Sequence, residues 1–277
     1  MATSTNHDRE APARGDAHVR VGTFNIHHGV GASGVLDLAR TAAAIADLDA
    51  DLVGLQEVDR NWAGRSGFAD QAVDLANSLG MHLAFGASLN RRRRRRGGAP
   101  HGQYGNALLS RFPIRDIRTT LLPHPRGGER RALLHTEVVL HGVALRCLVT
   151  HLQHLTRTER LAQVDAINTT VTGRDGPTVL VGDLNSAPGS PEIQALTEHL
   201  VDAWPHAGVG TGSTYSAQTP FMRIDYVLAS PDIAIEQVRV VTTDASDHLP
   251  VAADLRLPAP AAARRTGHHD GEDPERA

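Results

Sequence analysis

The residues best suited to chemistry sit where apolar runs turn polar. In VLVGDLNSAPGSP, the run 179–181 leads into Asp183 and Asn185, which are two apart and share one side of an extended chain. A carboxylate there can align or deprotonate water, and an amide can donate to a phosphoryl oxygen. Taken alone, Asp, Asn and Gly182 read equally well as a turn. In GLQEVDR, Glu57 follows the apolar DLVGL. Mg²⁺ keeps most of its waters, so one or two carboxylates can hold it. A glutamate at a strand end in a surface ion pair is the simpler reading of that segment by itself. FNIHHG puts Asn25 after an apolar strand, as a neutral oxygen ligand or as a positioner of a carboxylate. His27 and His28 come next. Adjacent residues of a strand face opposite ways, so at most one of the two can join a site.

VTHLQH ends an apolar run in His151, and SDHLPV sets Asp247 beside His248. An imidazolium can hold an anionic oxygen or protonate a leaving group near neutral pH. With 16 histidines in the chain, a single one means little. Asp225 in RIDYVL lies between apolar neighbours, where a bare carboxylate is costly; a histidine oriented by it is the economical partner. Zinc is disfavoured, because no helical HxxxH-type spacing with a third ligand occurs. Cys147, in VALRCLV, reads as a buried small hydrophobe, and one cysteine cannot form an internal disulfide.

These residues need strands to carry them. Strand composition marks VRVGTFNI, DLVGLQEV, HLAFGAS, NALLSRF, ALLHTEVVL, VALRCLVTHL, PTVLVGDLN, RIDYVLAS, IAIEQVRVVTT and LPVAADLRL. Apolar residues at helical spacing (Leu36, Ala39, Ala43, Ala46) predict a helix over 35–48. FADQAVDLANSLG predicts a second, closed by Gly80. TRTE predicts a third, opened by a capping box of Thr156 with Glu159. SPEIQALTEHL predicts a fourth, with Ser190 as N-cap and Pro191 in the first position. That makes about ten strands and four helices. The neighbouring runs 133–140 and 143–151 suggest a hairpin, which argues against an all-parallel sheet. The expected solution is two mixed or mostly antiparallel sheets packed face to face, with helices on the outer faces.

The 277 residues, 40% of them hydrophobic, are enough for one large α/β domain. That domain is expected over 18–258, with polar tails at 1–17 and 259–277 that have no apolar period and read as disordered. A net charge of −3 gives no global pull toward polyanions. Every basic residue is arginine. Six of them, at 91–96, repel one another too strongly for a core and read as a loop. A solvated insertion is the first interpretation of that loop, and a nucleic-acid or acidic-lipid contact the second. No signal peptide or bilayer-length apolar stretch is legible, so a cytoplasmic protein is expected.

In their order, FNIHHG, LQEVD, YGNALLSRFPI, THL, GDLN, RIDYVL and SDHLP resemble the endonuclease/exonuclease/phosphatase superfamily over residues 19–257. The specific parts are GDLN and SDH joined to the upstream QE. The resemblance implies a four-layer α/β sandwich. It also implies divalent-metal-dependent hydrolysis of phosphodiesters, with phosphomonoesters a further option, by in-line attack of water. The cofactor would be Mg²⁺, with Mn²⁺ able to substitute. Glu57 matches the principal metal-binding glutamate, and Asn25 and Asp247 complete that neighbourhood. Asp183 matches the residue that activates water, and Asn185 the phosphate-holding asparagine. His151 and His248 match the histidines near the scissile phosphate, and Asp225 the aspartate that orients His248. Tyr104 and Asn106 match a substrate-binding segment beside the cleft. His27 departs from members that carry a further metal-side carboxylate two residues after the asparagine, which argues against a second metal.

The superfamily includes abasic-site endonucleases, pancreatic-type deoxyribonucleases, sphingomyelinases and inositol phosphatases, so it leaves the substrate open between nucleic acid and a lipid or small-molecule phosphoester. The negative charge speaks against a nuclease, and the six arginines speak for one. The missing signal peptide and the 4% of aromatic residues speak against a lipid enzyme. No stable protein partner is implied. A non-catalytic scaffold is the competing class; loss of Glu57, Asp183 or His248 would mark it, and all three are present.

Overall fold

A computed structural model of the chain describes residues 17–91, 101–124 and 128–260. Five of the six adjacent arginines, and both expected disordered tails apart from residues 17 and 259–260, lie outside these residues.

Twelve strands form two six-stranded sheets among the described residues. The first sheet contains β1 (Ala17–Asn25), β2 (Leu52–Arg60), β3 (His82–Arg91), β4 (Gly102–Ser110), β11 (Ala234–Val240) and β12 (Val251–Leu257), in the order β11-β12-β1-β2-β4-β3. The second contains β5 (Ile114–Leu121), β6 (Ala132–Leu140), β7 (Val143–His151), β8 (Thr178–Asp183), β9 (Val201–Asp202) and β10 (Asp225–Ala229), in the order β5-β6-β7-β8-β10-β9. Each sheet is antiparallel except for one central parallel pair, β1 with β2 and β7 with β8. Each parallel pair needs a crossover, and a helix supplies it: α1 (Leu38–Asp47) in the first sheet and α3 (Arg157–Thr172) in the second. The remaining helices are α2 (Gln71–Leu79), α4 (Pro191–Thr197) and α5 (Ala203–Ala207).

Side-chain alternation splits the core into layers. Val19, Val21, Leu52, Val149 and Val181 fill the space between the sheets. Phe24, Leu55, Leu75 and Leu109 meet Ile45 of α1 on one outer face. Leu133, Leu148 and Leu180 meet Val164, Ile167, Ile193 and Leu196 of α3 and α4 on the other. The result is the expected four-layer α/β sandwich.

The sheets approach closely at Gly54, where an added Cβ would press into the Val181 side chain and lie 3.0 Å from a Val149 methyl. Gly54→Ala is therefore expected to lower stability by about 1–3 kcal/mol, as overpacking of a filled interior does. Urea titration of wild type and variant checks this, and equal midpoints would contradict it.

Helix starts follow the sequence in part. Asp37 and Asp70 accept hydrogen bonds from the backbone N–H groups of Arg40 and Val73. Gly80 closes α2 at φ 63°, and Ser190 caps α4 with Pro191 inside its first turn. The capping box at Thr156 does not form. Glu159 is instead buried, 3.1 Å from His124 Nδ1 and within reach of Gln163 Nε2, so a tertiary contact displaces the local one.

Candidate active site

One end of the sandwich gathers the polar residues. Asn25 and His151 end β1 and β7, Asp183 ends β8, Asp225 opens β10, and His248 precedes β12. The parallel and antiparallel pairings place these positions side by side: His151 opposite Asp183, and Asp183 opposite Asp225.

Asp183 is the centre. It is 1% exposed, so each of its oxygens needs a partner. Its Oδ1 accepts from the backbone N–H of Asn185 at 3.0 Å. Its Oδ2 accepts from Asn25 Nδ2 at 3.0 Å and faces His151 Nε2 at 3.4 Å and His248 Nε2 at 3.7 Å. The turn and the site are thus the same object: one oxygen of Asp183 closes the turn and the other faces the cluster. Burial, then the nearby Asp225 charge, pushes the Asp183 carboxyl up to about 7. Gly182 is required here because a side chain at this position would collide with the Thr150 carbonyl of β7.

Asn185 departs from the expected extended geometry. It lies past the end of β8 at φ 47°, and its Nδ2 donates to the Leu152 carbonyl at 3.0 Å. The amide has a second N–H for other partners.

Glu57 is set by a break in pairing. The β2–β4 register shifts between Leu55 and Val58, and Glu57 adopts φ 60° inside this bulge rather than at a strand end. A bulge re-aims the side chain that occupies it. Gln56, fully buried, anchors the break through Thr23 Oγ1 and the Ile26 N–H. Asn25 Nδ2 donates to Glu57 Oε1 at 3.1 Å as well as to Asp183. Two carboxylate neighbours require the donor end of the amide, and Asn25 Oδ1 accepts from the His27 N–H. Of the two roles expected for Asn25, these contacts are those of a carboxylate positioner. Burial opposes the Glu57 charge, but the adjacent His28 ring and the Asn25 hydrogen bond hold the carboxyl well below the usual range.

The two histidines of FNIHHG also correct the expectation. Residues 27–29 form a 3₁₀ turn rather than strand, with φ 44° at His27 and 45° at His28. Both rings come round to the same side, their centroids 4.4 Å apart. His27 Nδ1 lies 3.6 Å from Asp247 Oδ1, and His28 Nδ1 lies 3.9 Å from Glu57 Oε2. Neither Nδ1 has a hydrogen-bond partner. His27, His28 and Glu57 bring donor atoms within 4.8 Å of one another, a carboxylate and imidazole set that fits a divalent cation, and Asp247 lies beside His27. Asp183, Asp225 and His248 form a second, fully buried group of similar span, in which His248 Nδ1 meets Asp225 Oδ2 and Asp225 Oδ1 has no hydrogen-bond partner.

His248 is held from both sides of its ring. Nδ1 lies 2.9 Å from Asp225 Oδ2, and the Tyr215 ring packs 4.9 Å away. Burial opposes the imidazolium, but the Asp225 and Asp183 charges outweigh it and raise its pKa to about 10. His151 goes the other way. Burial and the Arg131 charge press its pKa well below the usual histidine value. Arg131 Nη1 lies 3.0 Å from His151 Nδ1, and a guanidinium can only donate, so Nδ1 accepts and the ring proton resides on Nε2, facing Asp183. Arg131 is 4% exposed and was not singled out in the sequence, where it stands only as one more arginine before an apolar run.

Ser246 was also not singled out. Its hydroxyl donates to the Asn25 carbonyl and accepts from the His248 N–H, tying the end of β1 to the loop before β12. Tyr104 is 5% exposed beside Trp62 and Arg65, and burial followed by the Glu57 charge raises its phenol well above the ordinary value. Asn106 is buried, and its amide donates across the sandwich to the Ala132 carbonyl at 2.9 Å and reaches that of Val149 at 3.5 Å. That amide bridges the two sheets.

A four-layer sandwich with a carboxylate–histidine cluster at one end defines the class. The sequence pattern of the Endonuclease/Exonuclease/phosphatase family matches residues 22–248, and the chain belongs to that family. It is 29% identical over 265 residues to the uncharacterized protein YbhP of Escherichia coli strain K12, covering 86% of this chain and 96% of that protein. An endonuclease/exonuclease/phosphatase from Beutenbergia cavernae DSM 12333 superposes with a TM-score of 0.74 at 31% identity, covering 89% of this chain and 73% of the other. The Bacteroides thetaiotaomicron VPI-5482 mannosyl-6-phosphatase Bt3783 shares the fold, with a TM-score of 0.67 at 18% identity and coverage of 86% and 99%.

Proposed function

We propose that the domain at 18–258 is a divalent-metal-dependent hydrolase of phosphoesters, acting by in-line attack of water. The observation that carries this reading is the convergence on Asp183 Oδ2 of Asn25, His151 and His248, with Glu57 joined through the same Asn25 amide. Asp183, buried and raised to about 7, is a base matched to water near neutral pH. His248, held protonated by Asp225, presents Nε2–H to a phosphoryl or leaving oxygen. His151 is neutral with its proton on Nε2, so it donates without adding charge. Asn185 offers its second amide N–H to a phosphoryl oxygen, and Tyr104 borders the cleft. Glu57 and Asp247 would hold the cation, Mg²⁺ or Mn²⁺, with Asn25 fixing Glu57 in place. When bound, the cation neutralises charge that builds on the phosphoryl oxygens.

No helix among the described residues is long and apolar enough to cross a membrane. The substrate is a nucleic acid or a lipid or small-molecule phosphoester. A panel of an aryl phosphodiester, an aryl phosphomonoester, supercoiled DNA, RNA, sphingomyelin and inositol phosphates, each with EDTA, Mg²⁺ or Mn²⁺, tests the proposal. Metal-dependent release of product from at least one substrate supports it. Full activity in EDTA contradicts it, and binding without turnover across the panel favours the scaffold alternative.

Within this scheme His248→Ala lowers kcat by about 10²–10⁴-fold, as loss of an acid–base group does. Asp225→Asn costs less, about 10–100-fold, since it acts through His248. Steady-state kinetics of the two variants checks the ranking, and the reverse order would give Asp225 a direct role.

A further inference from the structure

We propose that the Nδ1 atoms of His27 and His28 are ligands of the divalent cation held by Glu57 and Asp247. The centre is then a mixed nitrogen–oxygen site that selects a first-row transition ion such as Mn²⁺ over Mg²⁺. This rests on the reading above that a cation binds at Glu57, and it adds both the ligands and the class of metal.

Three observations carry it. First, both Nδ1 atoms are buried and have no hydrogen-bond partner. A polar ring atom removed from water without a partner is costly, and two in succession on adjacent residues point to a common ligand. Second, each faces a carboxylate at a distance too long for a hydrogen bond: 3.6 Å from His27 to Asp247 and 3.9 Å from His28 to Glu57. Such separations suit neighbours around one ion, since ligands at about 2.0–2.2 Å from a common metal stand about 3–4.3 Å apart. The donor atoms of His27, His28 and Glu57 all lie within 4.8 Å of one another.

Third, the backbone is bent to bring the rings together. Two successive non-glycine residues with φ of 44° and 45° occupy a region that L-residues seldom enter. The bend is fixed by the Gly29 N–H to the Ile26 carbonyl, the Val30 N–H to the His27 carbonyl, and Gln71 Nε2 to the His28 carbonyl. Strand geometry would have sent the rings to opposite faces. Strain of this kind collects where a side chain must be aimed.

The choice of metal follows from the donors. Mg²⁺ prefers oxygen ligands and parts reluctantly with its waters, so two imidazoles add little to its binding. Imidazole nitrogen suits transition ions, whose affinities rise from Mn²⁺ upward along the first row.

Pulsed EPR of the full-length protein loaded with one equivalent of Mn²⁺ tests the assignment. Wild type is expected to show modulation from imidazole nitrogen coupled to the ion. The modulation should vanish in a His27→Asn/His28→Asn double variant, which keeps the backbone conformation because asparagine tolerates positive φ. The Mn²⁺-over-Mg²⁺ affinity ratio, measured by competition titration, should fall about tenfold or more in that variant. Absence of nitrogen modulation from Mn²⁺ bound to wild type overturns the proposal without needing any variant. Modulation that survives in the double variant also overturns it, because the nitrogen then belongs to another histidine. In either case, loss of Mn²⁺ binding in Glu57→Gln would leave the hydrolase reading standing, whereas hydrolysis independent of any divalent ion would remove that reading first.

Discussion

Asp183→Asn is expected to lower kcat by about 10²–10⁴-fold, with a much smaller change in KM. The substitution keeps size and much of the hydrogen bonding, because the amide oxygen can still accept from the Asn185 N–H that closes the turn. What disappears is the basic oxygen facing Asn25, His151 and His248. A base acts as water attacks, so its loss falls on the transition state rather than on ground-state binding. The pH profile provides a second reading. With burial and the Asp225 charge setting the Asp183 carboxyl at about 7, kcat/KM of the wild type should fall as pH drops below that value and Asp183 takes up a proton. Removing the Asp225 charge in Asp225→Asn lowers the Asp183 pKa, so the acid limb should move to lower pH. A limb that moves upward, or an Asp183→Asn variant with wild-type kcat, would take the base role away from this residue.

Glu57→Gln is expected to weaken kcat/KM at a fixed low metal concentration by about 10³-fold, the equivalent of losing several kcal/mol of charge stabilisation. Glutamine fills the same bulge at φ 60°, so the fold should persist, and the circular dichroism spectrum should match the wild type. The Glu57 carboxyl is held ionised by the His28 ring and Asn25 in spite of burial, which is the state a cation requires. The measurement is activity against metal concentration. A curve displaced to much higher concentration supports the role, and a superimposable curve would contradict it.

Much of the fold could be read from patterns that packing enforces. The strand at 178–183 carries the unbroken apolar run 179–181 because both of its faces are covered, by the inter-sheet core on one side and by α3 and α4 on the other. The hairpin β6–β7 was legible for the same reason. By contrast β5, an edge strand with the sequence IRDIRTTL, exposes nearly all of its side chains and carries no apolar period. The two-residue β9 and five-residue α5 are too short to leave a periodic signal.

The site was legible as a set of residue types and less so as geometry. Asp183, Asp225 and His151 lie at the ends of paired strands, which residue order and strand boundaries anticipate, and His248 meets them from the loop before β12. Glu57 and the pair His27–His28 owe their aim to positive-φ backbone, which no alternation rule foresees. Asn25 and Asn106 show the same limit: their types fit a site, but which end of each amide serves which partner depends on contacts more than 25 residues away in the chain. Arg131 reaches His151 from across a strand pair, and an arginine in a chain whose basic residues are all arginine gives no local sign of such a role.

The central claim is that water, activated in this cluster with a divalent ion present, attacks phosphorus. It is tested most directly by cleaving an aryl phosphoester, diester or monoester, in ¹⁸O-water and locating the label by mass spectrometry. The account predicts one ¹⁸O in the phosphoryl product, none in the released phenol, and no cleavage after the metal is removed with EDTA. Label in the phenol, or equal cleavage with and without the metal, would contradict it.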